Sequence, residues 1–155
     1  MRLTTKGRYA VTAMIDIALH RAAGPVSVTE VADRQAISGA YLEQLFSKLK
    51  RAGLLDSIRG PGGGYDIVRP LEAITVADII AAVGEGVDAT RCQGAADCRD
   101  GATCLTHDLW QALSTHIDTF LGGITLHALL AGQGPVGQNR LLGRHAHQRI
   151  ESRIV

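Results

Sequence analysis

The chain has 155 residues, 46% of them hydrophobic and 20% charged, with a formal net charge of +1. That length suits one sizeable core with appendages, on a scale of about 100 to 200 residues per domain. No apolar run approaches the roughly 20 residues of a bilayer span, and Met1-Arg2-Leu3-Thr4-Thr5-Lys6 lacks the apolar segment of an export signal. The expectation is a cytoplasmic protein without a membrane partner. Charge is uneven: residues 1–75 hold ten Lys and Arg against seven Asp and Glu, and residues 76–155 hold six against eight. The basic excess therefore sits at the N-terminal side, and local charge is what a phosphate feels.

From Thr4 to about Ala22, Tyr9, Val11, Ala13, Met14, Ile17, Ala18 and Leu19 recur at helical spacing. Gly24-Pro25 ends that helix. Ser27 stands three residues before Glu30 in capping-box order, so a second helix begins near Val28. Ser38 is placed to cap a third, with Leu42, Leu45, Phe46 and Leu49 inward and Lys48, Lys50 and Arg51 near its C-terminal end. Leu54–Arg59 and Tyr65–Arg69 read as two short strands around the turn Gly60-Pro61-Gly62-Gly63-Gly64. Thr75-Val76-Ala77-Asp78 opens another helix, which stops before Gly84 and Gly86.

A loop follows from about Glu85 to Ala102, too poor in apolar residues to order itself by burial. Beyond it Leu105, Leu109, Leu113, Ile117, Phe120, Leu121, Ile124, Leu126, Leu129 and Leu130 form one long helical stripe in need of a partner. The segment 133–155 has little periodicity and is expected to be a disordered tail.

Three helices and then a hairpin is the order of a winged helix-turn-helix, in which the third helix enters the major groove. The expected fold is mainly α with a small β-hairpin wing. It is divided into a DNA-binding domain over 1–84, a loop over 85–108, a long C-terminal dimerisation helix over 105–132, and the tail. On the third helix Ser38, Ala40, Tyr41, Glu43, Gln44, Lys48 and Arg51 are left for solvent or DNA. Gln44 suits adenine edges, Glu43 can accept from cytosine N4 or repel a wrong site, and Ser38 and Tyr41 can reach phosphates. In the wing, Arg59 beside the side-chain-poor tip Gly60-Pro61 suits a narrow minor groove. The competing reading is a helical domain whose charges only solvate it, or a winged helix used for protein contacts.

All three cysteines fall in one stretch with a histidine: Cys92, Cys98, Cys104 and His107, at C-x5-C-x5-C-x2-H. Three thiolates and an imidazole are a complete set of soft ligands for one metal centre. The short C-x2–4-C knuckles of structural zinc are absent, and wide spacing in a glycine-bearing loop leans to an iron-sulphur cluster. Asp88 and Arg91 stand where they could modulate ligand charge. A structural zinc site on the same four residues stays open, as do unligated thiols. His20, His116, His127, His145 and His147 have no cysteine neighbours and are assigned no site. An enzyme is not expected: there is no C-x-x-C pair or base-orienting triad, and the glycine run lacks a following Lys-Ser or Lys-Thr and precedes a strand.

The stretches MRLTTKGRYAVTAM, YLEQLF, RGPGGGY, VDATRCQG and CLTHDLW together resemble the IscR-type iron-sulphur regulators, within the larger group of small dimeric winged-helix regulators. The resemblance runs from Met1 to about Leu130. It implies one 2Fe-2S cluster per chain on Cys92, Cys98, Cys104 and His107, received from the assembly machinery. It also implies a homodimer formed by the helix after the loop, with Leu109, Leu113, Ile117, Phe120, Leu121 and Ile124 at the interface. Two recognition helices would meet a pseudo-palindromic duplex, with Arg2, Thr4 and Lys6 near phosphates. The implied function is repression of iron-sulphur assembly genes when loaded, with activation at other sites. Ala40 stands where relatives often place a hydroxyl residue, and the sequence after Gln133 carries no part of the likeness.

Overall fold

A computed structural model describes residues 4–90 and 92–132. Arg2, Arg91 and the tail expected over 133–155 lie outside the described residues. Among the described residues, six α-helices and one antiparallel hairpin follow in the order α1 (Thr5–His20), α2 (Val28–Gln35), α3 (Gly39–Arg51), β1 (Leu55–Ile58), β2 (Gly64–Ile67), α4 (Val76–Ala82), α5 (His107–Gly122) and α6 (Leu126–Leu130), with short 3-10 turns at Arg21–Ala23 and Leu71–Ala73. The fold is mainly α with a small hairpin wing, as the sequence order suggests.

Helix starts follow their caps. Thr4 accepts from the Lys6 N–H, Ser27 and Glu30 form a reciprocal capping box, and Thr75 and Asp78 form another. Ser38 departs from expectation: it holds the N-cap position of α3, but its side chain makes no capping hydrogen bond.

Met14 and Ile17 of α1, Val31 of α2, Leu42, Leu45, Phe46 and Leu49 of α3, and Ile79 of α4 close into one core together with Leu54 and Leu55. Phe46 is fully buried and meets Tyr65 of the wing edge to face, with ring centroids 4.9 Å apart. The strands pair Leu55 with Ile67 and Ser57 with Tyr65, and Tyr65 exchanges backbone hydrogen bonds with Val26, so the wing is tied back to the α1–α2 connection. Gly64 is required there, since a Cβ would lie 2.6 Å from the Val26 carbonyl oxygen.

The long stripe expected over Leu105–Leu130 is two helices. α5 ends at Gly122, and Thr125 pairs with Thr75 in a short bridge, the Val76 N–H reaching the Ile124 carbonyl and the Leu126 N–H the Ile74 carbonyl. Gly122-Gly123 weakens helix continuation, and the β-branched Ile124 and Thr125 then take up the extended pairing. In consequence Ile124 is 5% exposed, packed with Val76, Ile80 and Leu129 of its own chain. This corrects its expected place in the outward stripe, because its surface is already covered.

Candidate metal centre and nucleic-acid interface

The helix-turn-helix is built around a buried charge. Asp16 of α1 is fully buried in side chain and accepts a two-pronged hydrogen bond from Arg34 at 2.6–3.1 Å and another from Gln35 at 2.6 Å. Charge-assisted, bidentate contact of this kind fixes orientation as well as distance, and Asp16 holds the Arg34 guanidinium above its ordinary pKa. Asp16 went unread in the sequence. The available signal was a carboxylate inside an otherwise apolar stripe, between Met14 and Ile17. The turn after α2 puts Ala36 at φ 53°, a conformation that favours glycine, and buries Ile37 beneath it.

With its apolar side inward, α3 leaves Ser38, Ala40, Glu43, Gln44 and Arg51 exposed, as read from the sequence. Tyr41 is half-buried against Tyr9, their rings perpendicular at 6.0 Å. Lys48 is also half-buried, and its ammonium donates to the Val83 carbonyl at 3.4 Å, so it is partly turned toward its own chain. Arg59, Gly60 and Pro61 are exposed at the wing tip, which closes with the Gly63 N–H on the Gly60 carbonyl at 2.9 Å. At the start of α1 Thr4 is exposed and Lys6 half-buried. The Thr4 hydroxyl donates to Glu85 Oε1, while the Gly7 N–H donates to Glu85 Oε2 at 3.0 Å, a carboxylate in the place where helix N–H groups favour an anion.

Three of the four expected ligands converge. Cys92 Sγ and Cys98 Sγ are 3.3 Å apart, and His107 Nδ1 lies 3.5 Å from the first and 3.3 Å from the second. Donor atoms bound at about 2.0–2.3 Å to one tetrahedral ion would stand roughly 3.3–3.8 Å apart, so the trio is already spaced as ligands are. Cys104 is the outer member, its Sγ 3.8 Å from the Thr106 hydroxyl. All three cysteines are free thiols and half-buried, while His107 is buried.

Hydrogen bonds adjust these thiols unequally. Burial pushes the Cys92 thiol up, but bonds from Cys98, the Ala96 N–H, Thr90 and the Gly94 N–H outweigh it and bring its pKa down to about 6. For Cys98 the Cys104 N–H acts downward, and its own role as donor to Cys92, with burial, carries the pKa up. Cys104 is lowered, chiefly by the Thr106 N–H and then by Cys98. Metal ligands must be deprotonated thiols, and backbone N–H groups aimed at sulphur favour that form.

The loop carrying these ligands is held by polar bonds. Thr90 donates to Asp88 at 2.6 Å, which lowers the Asp88 pKa, and accepts from the Gly94 N–H at 2.8 Å. The Ala89 N–H donates to Ser114 Oγ, and Ser114 in turn donates to the Trp110 carbonyl, both at 2.8 Å. Gln93, Ala96 and Asp100 all take positive φ, between 47° and 60°, backbone states that cost on the order of 1–3 kcal/mol each outside glycine. Ser114, Thr106 and Trp110 escaped the sequence reading. A serine buried among exposed or half-buried neighbours on its helix is visible only once the loop lies across it.

On α5 the apolar side chains project outward: Leu109 is 60% exposed and Phe120 49%, with Leu113, Ile117 and Leu121 half-buried. Among the described residues no helix is long and apolar enough to cross a membrane.

A recognition helix with a free polar face, a wing with a bare tip and an arginine beside it define a DNA-binding transcription regulator of the winged helix-turn-helix class. Residues 3–132 match the Rrf2 family, described as an iron-dependent transcriptional regulator. The chain belongs to the Rrf2 family. It is 60% identical over 131 residues to the HTH-type transcriptional regulator ORF2 of Azotobacter vinelandii, covering 84% of this chain and 80% of that one. To the HTH-type transcriptional regulator IscR of Xenorhabdus nematophila it is 57% identical over 133 residues, 86% of this chain and 81% of the other. The solved structure of T. potens IscR superposes with a TM-score of 0.70 at 38% identity, covering 84% and 86% of the two chains.

Proposed function

We propose that this regulator senses iron-sulphur status through one 2Fe-2S cluster held by Cys92, Cys98, Cys104 and His107, and controls iron-sulphur assembly genes as a repressor, with activation at other operators. The observation that carries this reading is the approach of Cys92, Cys98 and His107 to 3.3–3.5 Å of one another as free ligands, in a loop with no apolar reason to fold. The iron-dependent family description and the IscR likeness support it. A bound cluster would supply a reversible, oxygen-labile tie among the four ligands. The chain's own residues do the rest: Thr90, Ser114 and the Cys104 and Thr106 N–H groups pre-shape the loop and favour thiolates.

The loop's first residue touches α1, through Glu85 on Thr4 and Gly7, and the end of α4 just before the loop touches α3, through the Val83 carbonyl on Lys48. Ordering the loop thereby biases where α1 and α3 present their phosphate-binding and base-reading groups. The bias is bounded by the difference in cluster affinity between the two states. On the duplex, Gln44 and Glu43 read bases, and Ser38, Ala40, Tyr41, Lys48, Thr4 and Lys6 line the backbone contact. Arg59 with Gly60-Pro61 enters the minor groove. Leu109, Leu113, Ile117, Phe120 and Leu121 of α5 pair with a second copy, which sets two recognition helices on a pseudo-palindromic site in the cytoplasm. The cluster is delivered by assembly proteins, which closes a feedback loop.

A second reading is a zinc-stapled regulator, favoured by the single-ion spacing of the trio. Anaerobic purification with visible absorption and iron, sulphide and zinc assays separates the two. Charge-transfer bands with about two irons and two sulphides per chain support the sensor, as expected for such clusters. A colourless protein with one zinc overturns it.

A further inference from the structure

Thr106 occupies the N-cap position of α5, yet its side chain caps nothing, whereas Thr4, Ser27, Thr75 and Thr125 in the same position each accept a backbone N–H. Its hydroxyl oxygen instead accepts from Trp110 Nε1 at 3.1 Å and lies 3.8 Å from Cys104 Sγ. An indole N–H only donates, so it occupies an oxygen lone pair and leaves the single hydroxyl proton free. A cysteine holding a metal is a thiolate with no proton to give, which fixes the direction across the last contact: Thr106 donates and Cys104 accepts. Trp110 is 41% exposed, so burial does not account for its place. Its ring lines a cleft of about 390 Å³ into which Cys98, Cys104 and His107 also open.

We infer that Trp110 and Thr106 form a hydrogen-bond relay onto Cys104 that raises the reduction potential of the bound cluster. This rests on the iron-sulphur reading above. Thr106 touches the ligand, and Trp110 is a positioning residue acting through it. One-electron reduction adds one negative charge to the cluster. A donor on a ligand sulphur stabilises that charge and so favours the reduced form.

The test is a redox titration of the full chain, reconstituted anaerobically, with dithionite as electron donor and the visible bands as readout. Thr106→Val should lower the midpoint potential and Thr106→Ser, which restores the hydroxyl, should leave it at the wild-type value. Trp110→Phe keeps the ring and loses the N–H; it should lower the potential in the same direction. The double variant Thr106→Val with Trp110→Phe should go no lower than Thr106→Val alone, because both changes break one relay. An unchanged potential in Thr106→Val, or a Trp110→Phe shift that adds in full to it, would overturn the relay. If Thr106→Val fails to retain iron, Trp110→Phe decides alone, and an unmoved potential there overturns it too. A wild-type chain that binds no iron contradicts the underlying reading instead, and is told apart by its lack of colour.

Discussion

The two halves of the described chain are ordered by opposite means. Up to Val83, α1 to α4 and the wing share one apolar core in which Phe46, Met14, Ile17, Leu42, Leu45 and Leu49 are fully or almost fully buried. From Glu85 to Gly122 nothing comparable exists among the described residues. The buried members of α5 are His107 and Ser114, both polar, and the loop before it is tied by Thr90, Ser114 and short backbone bridges. A core of the first kind folds on hydrophobic burial and keeps its packing without a bound ligand, so ligation can shift only how its helices present exposed side chains. A loop of the second kind keeps several strained residues with little to offset them, and on the proposed function a bound metal centre would complete its order. Frame and loop are thus ordered separately, as the proposed sensing function requires.

The largest test of that division is Phe46→Ala. Emptying the site where Phe46 meets Tyr65 should cost about 3–5 kcal/mol, seen as a lowered unfolding midpoint and loss of DNA binding. Cys98→Ala should do the reverse: iron content and visible bands vanish while the far-ultraviolet circular dichroism and the main unfolding midpoint stay. Unfolding of that variant would show the loop to be part of the frame. Arg59→Ala, at an exposed position far from the core, should weaken binding to a specific duplex by roughly 1–3 kcal/mol with the metal retained. An unchanged dissociation constant would remove the wing from the interface. Ser114→Ala deletes the loop's anchor on α5 and should cost about 1 kcal/mol of local order, read as faster hydrogen exchange at Ala89 and faster iron loss. No change in either would assign the anchoring to other contacts.

Much of the frame was legible in the sequence because burial writes a period. The α3 pattern Leu42, Leu45, Phe46, Leu49 and the Ser27–Glu30 box each led to the observed element. The misread helix after the loop shows the limit of that signal: Leu105 to Leu130 keeps its apolar period across two helices, since Ile124, Leu126 and Leu129 serve the chain's own core while Leu109 and Phe120 face out. Periodicity reports that residues are apolar, and only tertiary contact decides what covers them. The grouping of Cys92, Cys98 and His107 was readable from residue type and spacing. Its supports, Ser114, Thr106 and Trp110, were not, because a hydrogen bond between segments leaves no local pattern. Glu85 escaped for the same reason, whereas Asp16 left a local signal as a carboxylate within an apolar stripe.

On the proposed function, loop ligation controls DNA binding. This control is tested most directly by measuring dissociation constants of the same preparation, loaded anaerobically and then stripped of iron, for one duplex selected by the loaded protein, at one fixed salt concentration. The dissociation constant should change by at least about fivefold, the lower end of ordinary coupling free energies, and the Cys98→Ala variant should match the stripped protein. Equal affinities for the loaded, stripped and substituted forms would contradict it.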